Sequence, residues 1–169
     1  MNLRVFNFKG VEEAVANERY ELSITLSHCP SENLKAEKPG ADELVAVVSK
    51  RHRLAGKTTV KAEDLANEIL LMRGPTSVTR LFLESRSSKA DIQMVYGMEL
   101  NDNQVIKAFV EYNLGIAILS GRTVAAEVSS GRMSSLKIQG LELHRDFNLV
   151  SRKNHSLIIA HPRVRFDRS

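Results

Sequence analysis

Short unbroken apolar runs recur along this chain, with polar or helical segments between them. Leu44–Val48, Ile69–Met72 and Ile116–Leu119 each have the length of a strand. A continuous apolar run is typical of a strand buried on both faces, in a sheet that helices cover on each side. These runs are far too short to cross a bilayer, so no membrane segment is expected.

Helical patterns separate the apolar runs. Val78, Leu81, Phe82 and Ser85 follow three-and-four spacing, and the apolar residues from Val105 to Val110 form a second stripe. Because strands and helices alternate, the sequence predicts an α/β fold with mainly parallel pairing. Residues 28–40 lack any periodicity and predict a loop, whereas Ile92, Met94, Tyr96 and Met98 alternate and predict a strand.

The order of elements also predicts two lobes. A basic connector at residues 50–59 and a turn at 140–146 bracket a strand–helix series of its own. A chain that leaves one lobe, builds another and returns gives a discontinuous first lobe. We expect lobes of residues 1–49 with 148–169 and of residues 50–147, with a ligand cleft between them beyond the carboxyl ends of the strands.

Composition limits which classes of binding partner and which cellular compartment are expected. The net charge is +4 and the pI about 9.3, but Lys and Arg are scattered, which indicates a solvated surface. Aromatic residues make up only 5% and tryptophan is absent, so a stacking platform for single-stranded nucleic acid is not expected. The single cysteine, Cys29, cannot form an internal disulfide. A cytoplasmic protein is expected.

The stretch MRGPTSVTRLFLES, residues 72–85, allows two interpretations. Residues 62–85 superficially resemble a helix-turn-helix that reads DNA, although an apolar run interrupts the spacing that a tight turn requires. The favoured interpretation is a strand, a polar turn and a helix capped by Thr76 or Ser77. Backbone N–H groups at such a helix start favour a carboxylate, phosphate or sulfate. Asn101 and Asp102 open a second helix, where the Asp102 carboxylate would repel an anion unless it is turned away or pairs with a ligand donor.

No enzyme chemistry is predicted. The histidines and Cys29 lack the spacing of a metal site, and the nucleophile-elbow, phosphate-loop and dinucleotide motifs are absent. Ser27 and His28 are neighbours, but adjacent side chains at a strand end point apart. No catalytic residue, metal or cofactor is therefore expected.

Three stretches in order resemble the effector-binding domain of LysR-type transcriptional regulators. They are ELVAVVSKRHRLAGKTTVKAEDLANEILLMRGPTSVTRLFLE, MELNDNQVIKAFVEYNLGIAILSGRTVAAEVSSGRMSSLKI and RDFNLVSRKNHSL. The resemblance implies a two-lobed fold similar to periplasmic binding proteins, with an incomplete first lobe. It also implies a small-molecule effector, which the helix starts described above predict to be polar or anionic, a homodimer or tetramer, and DNA contact only through an N-terminal domain absent from this chain.

The resemblance also implies which residues of this sequence contact the ligand. The family's contacting hydroxyl before the second-lobe helix falls on Thr76, with Ser77 adjacent. The family's serine–asparagine pair falls on Leu100 and Asn101, so Asn101 is the implied second contact. A first-lobe hydroxyl falls near Leu26, which leaves Thr25 or Ser27 to supply that contact.

Overall fold

The computed structural model describes residues 14–26, 33–65 and 68–153. Four helices and eight strands lie within these residues, after a helical turn at 14–16. The helices are Ala62–Leu65 (α1), Val78–Lys89 (α2), Asn103–Glu111 (α3) and Gly121–Ser129 (α4). The strands are Leu22–Thr25 (β1), Leu34–Ser49 (β2), Thr59–Lys61 (β3), Leu70–Met72 (β4), Tyr96–Glu99 (β5), Ile116–Ser120 (β6), Met133–Gln139 (β7) and His144–Arg152 (β8).

The chain divides into two compact units. Met1–Asp42 with Arg145–Ser169 forms the first unit, and Glu43–His144 forms the second. In the first unit β1 pairs antiparallel with β8, and Val15, Leu34 and Val150 form a small buried cluster. The lobe limits expected from the sequence, 1–49 with 148–169 and 50–147, stay a prediction.

The second unit contains a sheet with helices on both faces. β4 pairs parallel with β5 and β6, β3 pairs parallel with β7, and β2 runs antiparallel to β6 and β7. Pairing is therefore mixed rather than mainly parallel, because β2 enters this unit against the direction of its neighbours. A mixed α/β architecture is confirmed.

The continuous apolar runs are buried on both faces, as the sequence predicts. Leu44, Ala46 and Val48 of β2 belong to one buried cluster with α1 and α2, while Val45 and Val47 belong to another with α3 and α4. Successive strand residues point to opposite faces, so a run without polar residues serves both cores. The longest described helix, α2, has 12 residues, and no described helix is long and apolar enough to span a membrane.

Two local predictions are wrong. β2 begins at Leu34, inside the predicted loop 28–40, because its first half lies beside β8, which supplies hydrogen-bonding partners. The predicted strand through Ile92 and Met94 is confined to Tyr96–Glu99. Asp91 adopts a positive φ of 55°, and the Ile92 N–H donates to the Ser87 carbonyl, so this stretch closes α2 instead of pairing in the sheet.

Gly115, just before β6, lies where no side chain fits. A Cβ atom there would lie 2.6 Å from the Ile69 carbonyl oxygen and 2.9 Å from the Leu71 Cγ. Gly115→Ala is expected to lower the free energy of unfolding by about 1–3 kcal/mol, as overpacking in a rigid region does. Gly56→Ala is the control, because nothing lies within 4 Å of its Cβ position. Equal denaturant midpoints for the two variants would contradict the packing argument.

Candidate ligand site at the carboxyl edge of the parallel strands

Three helices begin at one edge of the second unit's sheet. The parallel strands β6, β4 and β5 lie side by side, and the chain passes from their carboxyl ends into α4, α2 and α3. The Leu100 N–H donates to the Met72 carbonyl at 2.9 Å, which ties the β4 and β5 exits together. Helix N-termini carry exposed N–H groups and partial positive charge, so this edge suits an anion.

The α2 terminus has a hydroxyl that its own helix does not use. Ser77 occupies the N-cap position, with φ −70° and ψ 126°, and its side chain makes no capping hydrogen bond within the described residues. Its N–H donates to the Gly74 carbonyl at 2.9 Å, which closes the turn before the helix. Thr76 is exposed in that turn, and the first helical turn has no acidic residue. Both hydroxyls therefore remain available to a ligand at this terminus.

The α3 terminus is closed by its own carboxylate. Asp102 accepts hydrogen bonds from the N–H groups of Gln104 and Val105, at 2.5 and 3.4 Å. This arrangement satisfies the helix and places negative charge at its start, so α3 is a poorer anion site than α2. Asn101 is exposed beside Gly74, whose Cβ position would lie 3.7 Å from the Asn101 Oδ1. The structure therefore brings Asn101 next to the turn that carries Thr76 and Ser77.

The α4 terminus also begins at this edge, and sequence reasoning did not nominate it. Ser120 is its N-cap residue, Arg122 lies in the first turn, and no acid is present there. Ser120 ends β6 and pairs with Leu44 of β2. A serine directly between a buried strand and a helix is the same signal that marked Thr76 and Ser77.

Arg80 anchors the α2 turn. Its Nη1 donates to the Arg73 carbonyl at 3.2 Å and to Glu99 Oε2 at 3.0 Å, and its Nε donates to Glu84 Oε1 at 2.8 Å. Its guanidinium also lies 4.5 Å from the centre of the Tyr96 ring. The hydrogen bond to Glu84 and the one to Glu99 raise the pKa of Arg80. Arg80 therefore holds the turn against β5 and is not directed at an external partner.

Burial and the nearby Glu84 carboxylate raise the pKa of Tyr96 to about 12. The Tyr96 hydroxyl is therefore protonated at neutral pH.

Arg73 is a second residue that sequence reasoning missed. It directly follows β4, and its Nη1 donates to the Asn103 Oδ1 at 3.4 Å. Arg73 forms no ion pair with a carboxylate in the described part of the chain, in contrast to Arg80. A cation beside the α2 turn strengthens the attraction of this edge for an anion. The sequence pattern that could have identified Arg73 is a basic residue between a buried strand and the polar turn.

Of the two predicted first-lobe contacts, only Thr25 lies among the described residues. Thr25 lies in β1 of the first unit, where it is 7% exposed and pairs with Asn148 of β8. Ser27 lies outside the described residues. The ligand roles of Thr25 and Ser27 stay predictions. No cluster of metal-ligating residues occurs in the segments that the structure describes.

Known proteins share this fold and sequence pattern. The family model described as the LysR substrate binding domain matches residues 1–164. The chain belongs to the LysR substrate-binding domain family.

Individual relatives agree with that assignment of a LysR substrate-binding domain. The transcriptional activator CmpR of Synechocystis is 30% identical over 94% of this chain and 52% of its own length. The regulator CbbR of Rhodospirillum rubrum is 29% identical over 93% of this chain and 52% of its own. The solved Synechocystis CcmR regulatory domain, in complex with 2-PG, has a TM-score of 0.78 and 25% identity, covering 94% of this chain and 76% of that one. The chain spans about half the length of the curated relatives.

The helix-turn-helix alternative is wrong for this LysR substrate-binding domain. A helix-turn-helix joins two helices by a tight turn, whereas the strand Leu70–Met72 separates α1 from α2 and pairs with strands on both sides. Residues 62–85 therefore belong to a sheet with covering helices. The interpretation of residues 72–85 as a strand, a turn and a helix is confirmed.

Proposed function

We propose that this LysR substrate-binding domain senses a small anionic metabolite at the carboxyl edge of β6, β4 and β5. The observation that carries the proposal is the α2 terminus, where Thr76 and Ser77 present hydroxyls and Arg73 adds a cation without a carboxylate partner in the described chain. The complex of the related CcmR regulatory domain with 2-PG supports a small-molecule ligand.

Each residue has a distinct role in this proposal. Hydroxyls of Thr76 and Ser77 donate to the anion, and Arg73 supplies charge-assisted hydrogen bonds. Asn101 offers an amide that can donate to the ligand or accept from it, which gives selectivity for an anion that also carries a hydroxyl. The carboxylate of Asp102, which stays on its own helix, disfavours a second anionic group near α3. None of these groups forms a nucleophile–base pair, so binding rather than catalysis is the proposed activity.

Ligand binding would act through a shift in population. A ligand that prefers one conformation of the domain increases the population of that conformation in proportion to its differential affinity. In a homodimer or tetramer of a longer regulator this shift would alter the arrangement of DNA-binding domains supplied outside this chain. A transcription regulator of this kind meets DNA in the cytoplasm, so the protein would act there.

Replacing both hydroxyls tests the site. The Thr76→Val/Ser77→Ala variant is expected to bind a small anion at least about tenfold more weakly, because each lost hydrogen bond to a charged group contributes about 1.5–3 kcal/mol. Thermal shifts with 2-PG, and with inorganic phosphate as a simpler anion, measure the change, since a ligand of the folded state raises its stability in proportion to its affinity.

A matched variant controls for the chemical change. Thr58→Val removes an exposed hydroxyl in the connector before β3 and should leave the thermal shift unchanged. Arg73→Gln should also weaken binding of the anion, and most strongly at low salt, because it removes a positive charge beside the site. The proposed site is contradicted if the double variant keeps its ligand-free melting temperature and also shows the same thermal shifts as the unchanged chain with both anions.

A further inference from the structure

The amino edge of the second unit's parallel strands carries exposed apolar side chains. Ile69, Val95 and Leu114 lie within two residues of the starts of β4, β5 and β6, and Tyr112 lies at the C-cap of α3. All four are more than half exposed. Apolar residues scattered singly over a surface are ordinary, whereas a contiguous patch marks an interaction site. These four residues are called the amino-edge patch below.

The strand order makes the patch contiguous. β4 lies between β5 and β6, so Ile69 lies between the residues that precede those two strands. Its neighbours on both sides are glycines. A Cβ atom at Gly97 would lie 2.9 Å from the Ile69 Cγ2, and one at Gly115 would lie 2.6 Å from the Ile69 carbonyl oxygen. Because neither glycine has a side chain, neither covers Ile69.

Three exposed cations adjoin the patch. Lys50 and Arg51 directly follow β2, and the Ser49 hydroxyl at the end of β2 donates to the Glu111 carbonyl at the end of α3, at 3.1 Å. Lys89 lies in the last turn of α2, shortly before the chain reaches β5. None of the three cations forms an ion pair in the described part of the chain. The patch therefore has a basic rim.

The carboxylates that neighbour the patch in sequence do not neutralise this rim. Glu68 pairs with Arg53 at 2.6 Å, and Glu111 pairs with Arg132 at 2.7 Å. Asp91 forms no ion pair within the described segments, so it offsets one of the three cations. A second copy of this surface would meet charge of its own sign, which disfavours self-association. The charge instead favours an acidic partner.

The spacing of the patch fits one face of a helix. Adjacent strands lie about 4.8 Å apart, so the apolar side chains before β5, β4 and β6 recur at that interval over about 10 Å. Positions i, i+4 and i+7 of a helix recur about every 5 Å over a similar length. We propose that the amino-edge patch binds an acidic amphipathic helix of a partner protein. Its apolar face would lie on Ile69, Val95 and Leu114, and its carboxylates would face the three cations.

A synthetic peptide tests this surface. It consists of about 15 residues of glutamate and alanine with leucines at i, i+4 and i+7, a length at which an isolated helix begins to form. Titrated at low salt into the ¹⁵N-labelled 169-residue chain, it should shift the amide resonances of residues 49–51, 69, 95–97 and 112–115. Two control peptides should bind at least about tenfold more weakly: one with lysine in place of glutamate, and one with the leucines scattered around the helix.

Ile69→Thr/Leu114→Gln is the decisive variant. It removes two apolar anchors, so affinity for the acidic peptide is expected to fall at least about tenfold. Both residues are more than half exposed, so the fold should be kept. Leu81→Gln/Val105→Thr is the matched control, because it removes exposed apolar surface from α2 and α3 outside the patch and should leave the affinity unchanged.

A second variant tests the basic rim. Lys50→Gln/Arg51→Gln should weaken binding of the acidic peptide about threefold or more at low salt, and the difference should shrink at high salt, where exposed charges are screened. Lys61→Gln/Lys137→Gln removes the same charge from β3 and β7 and should leave the affinity unchanged.

Failure of the acidic peptide to bind, or equal binding of the scattered-leucine peptide, would overturn the proposal. Unchanged affinity in Ile69→Thr/Leu114→Gln, with an unchanged melting temperature, would do the same. So would concentration-dependent dimers in sedimentation that this variant abolishes, because the patch would then bind a second copy. Thr76→Val/Ser77→Ala should bind the peptide as the unchanged chain does, so failure here is distinguishable from failure of the proposed effector site at the opposite edge.

Discussion

Lys107→Met is expected to lower the free energy of unfolding by about 3–5 kcal/mol, because it leaves a carboxylate buried without its main partner. Lys107 on α3 donates through its Nζ to Glu127 Oε1 on α4 at 2.8 Å, and each side chain is 11% exposed. The other oxygen of Glu127, Oε2, is buried and has no partner among the described residues. Arg132 lies 4.0 Å from Oε1 and would offset part of the loss. Urea denaturation followed by circular dichroism at neutral pH measures the change.

Two controls separate burial from charge. Lys137→Met breaks an exposed pair with Glu43 and should cost no more than about 1 kcal/mol. The double variant Lys107→Met/Glu127→Leu should recover most of the lost stability, because replacing both partners by apolar groups removes the unpaired charge. If Lys107→Met is as stable as Lys137→Met, the Lys107–Glu127 pair does not hold α3 to α4.

The same pair predicts a pH dependence. The hydrogen bond from Lys107 lowers the pKa of the Glu127 carboxyl in the folded protein. Since the folded pKa lies below the unfolded one, this stability is fully present above the unfolded pKa. It is lost as the pH falls through the folded pKa. Acidification should therefore destabilise the unchanged chain more than the double variant, as denaturation at a series of pH values would show.

Arg145→Met is expected to lower the stability of the first unit by about 3–5 kcal/mol. Arg145 donates through Nε at 2.9 Å and through Nη2 at 2.7 Å to the same Asp42 oxygen, with the side chains 5% and 1% exposed. Without the guanidinium the Asp42 charge loses its closest cation in the interior. Hydrogen exchange of β8 amides reports the loss in this unit directly, whether or not the two units unfold together.

Lys38→Met is the matched control for Arg145→Met. Lys38 bonds Asp146 at 2.6 Å in the same unit, but the pair is exposed and should contribute no more than about 1 kcal/mol. Arg145→Lys should be intermediate, because lysine keeps the charge but lacks the planar pair of donors. Similar exchange rates of β8 amides in Lys38→Met and Arg145→Met would contradict this prediction.

Local signals accounted for much of the candidate site. The Thr76–Ser77 turn between a strand and a helix was predicted from its polar residues, and Asp102 was predicted as a cap. Asn113, two residues after the end of α3, adopts the left-handed conformation with φ 60°, which asparagine favours at helix ends. These features depend on residues within three or four positions of one another, so neighbouring residues in the sequence are enough to predict them.

Longer-range features could not be predicted in this way. The roles of Arg73 and Arg80 depend on β5 lying beside β4, which places Glu99 within reach of Arg80 across 19 positions.

By itself, the sequence determined which apolar runs form buried strands, where α2 begins, and the family to which the chain belongs. Only the tertiary structure decided which charges pair, as with Lys107 and Glu127 on different helices or Asp42 and Arg145, 103 positions apart. The physical reason is that helix and strand formation follows from the periodicity of neighbouring side chains. The partner of a buried charge instead depends on strand order and register, which distant segments establish together.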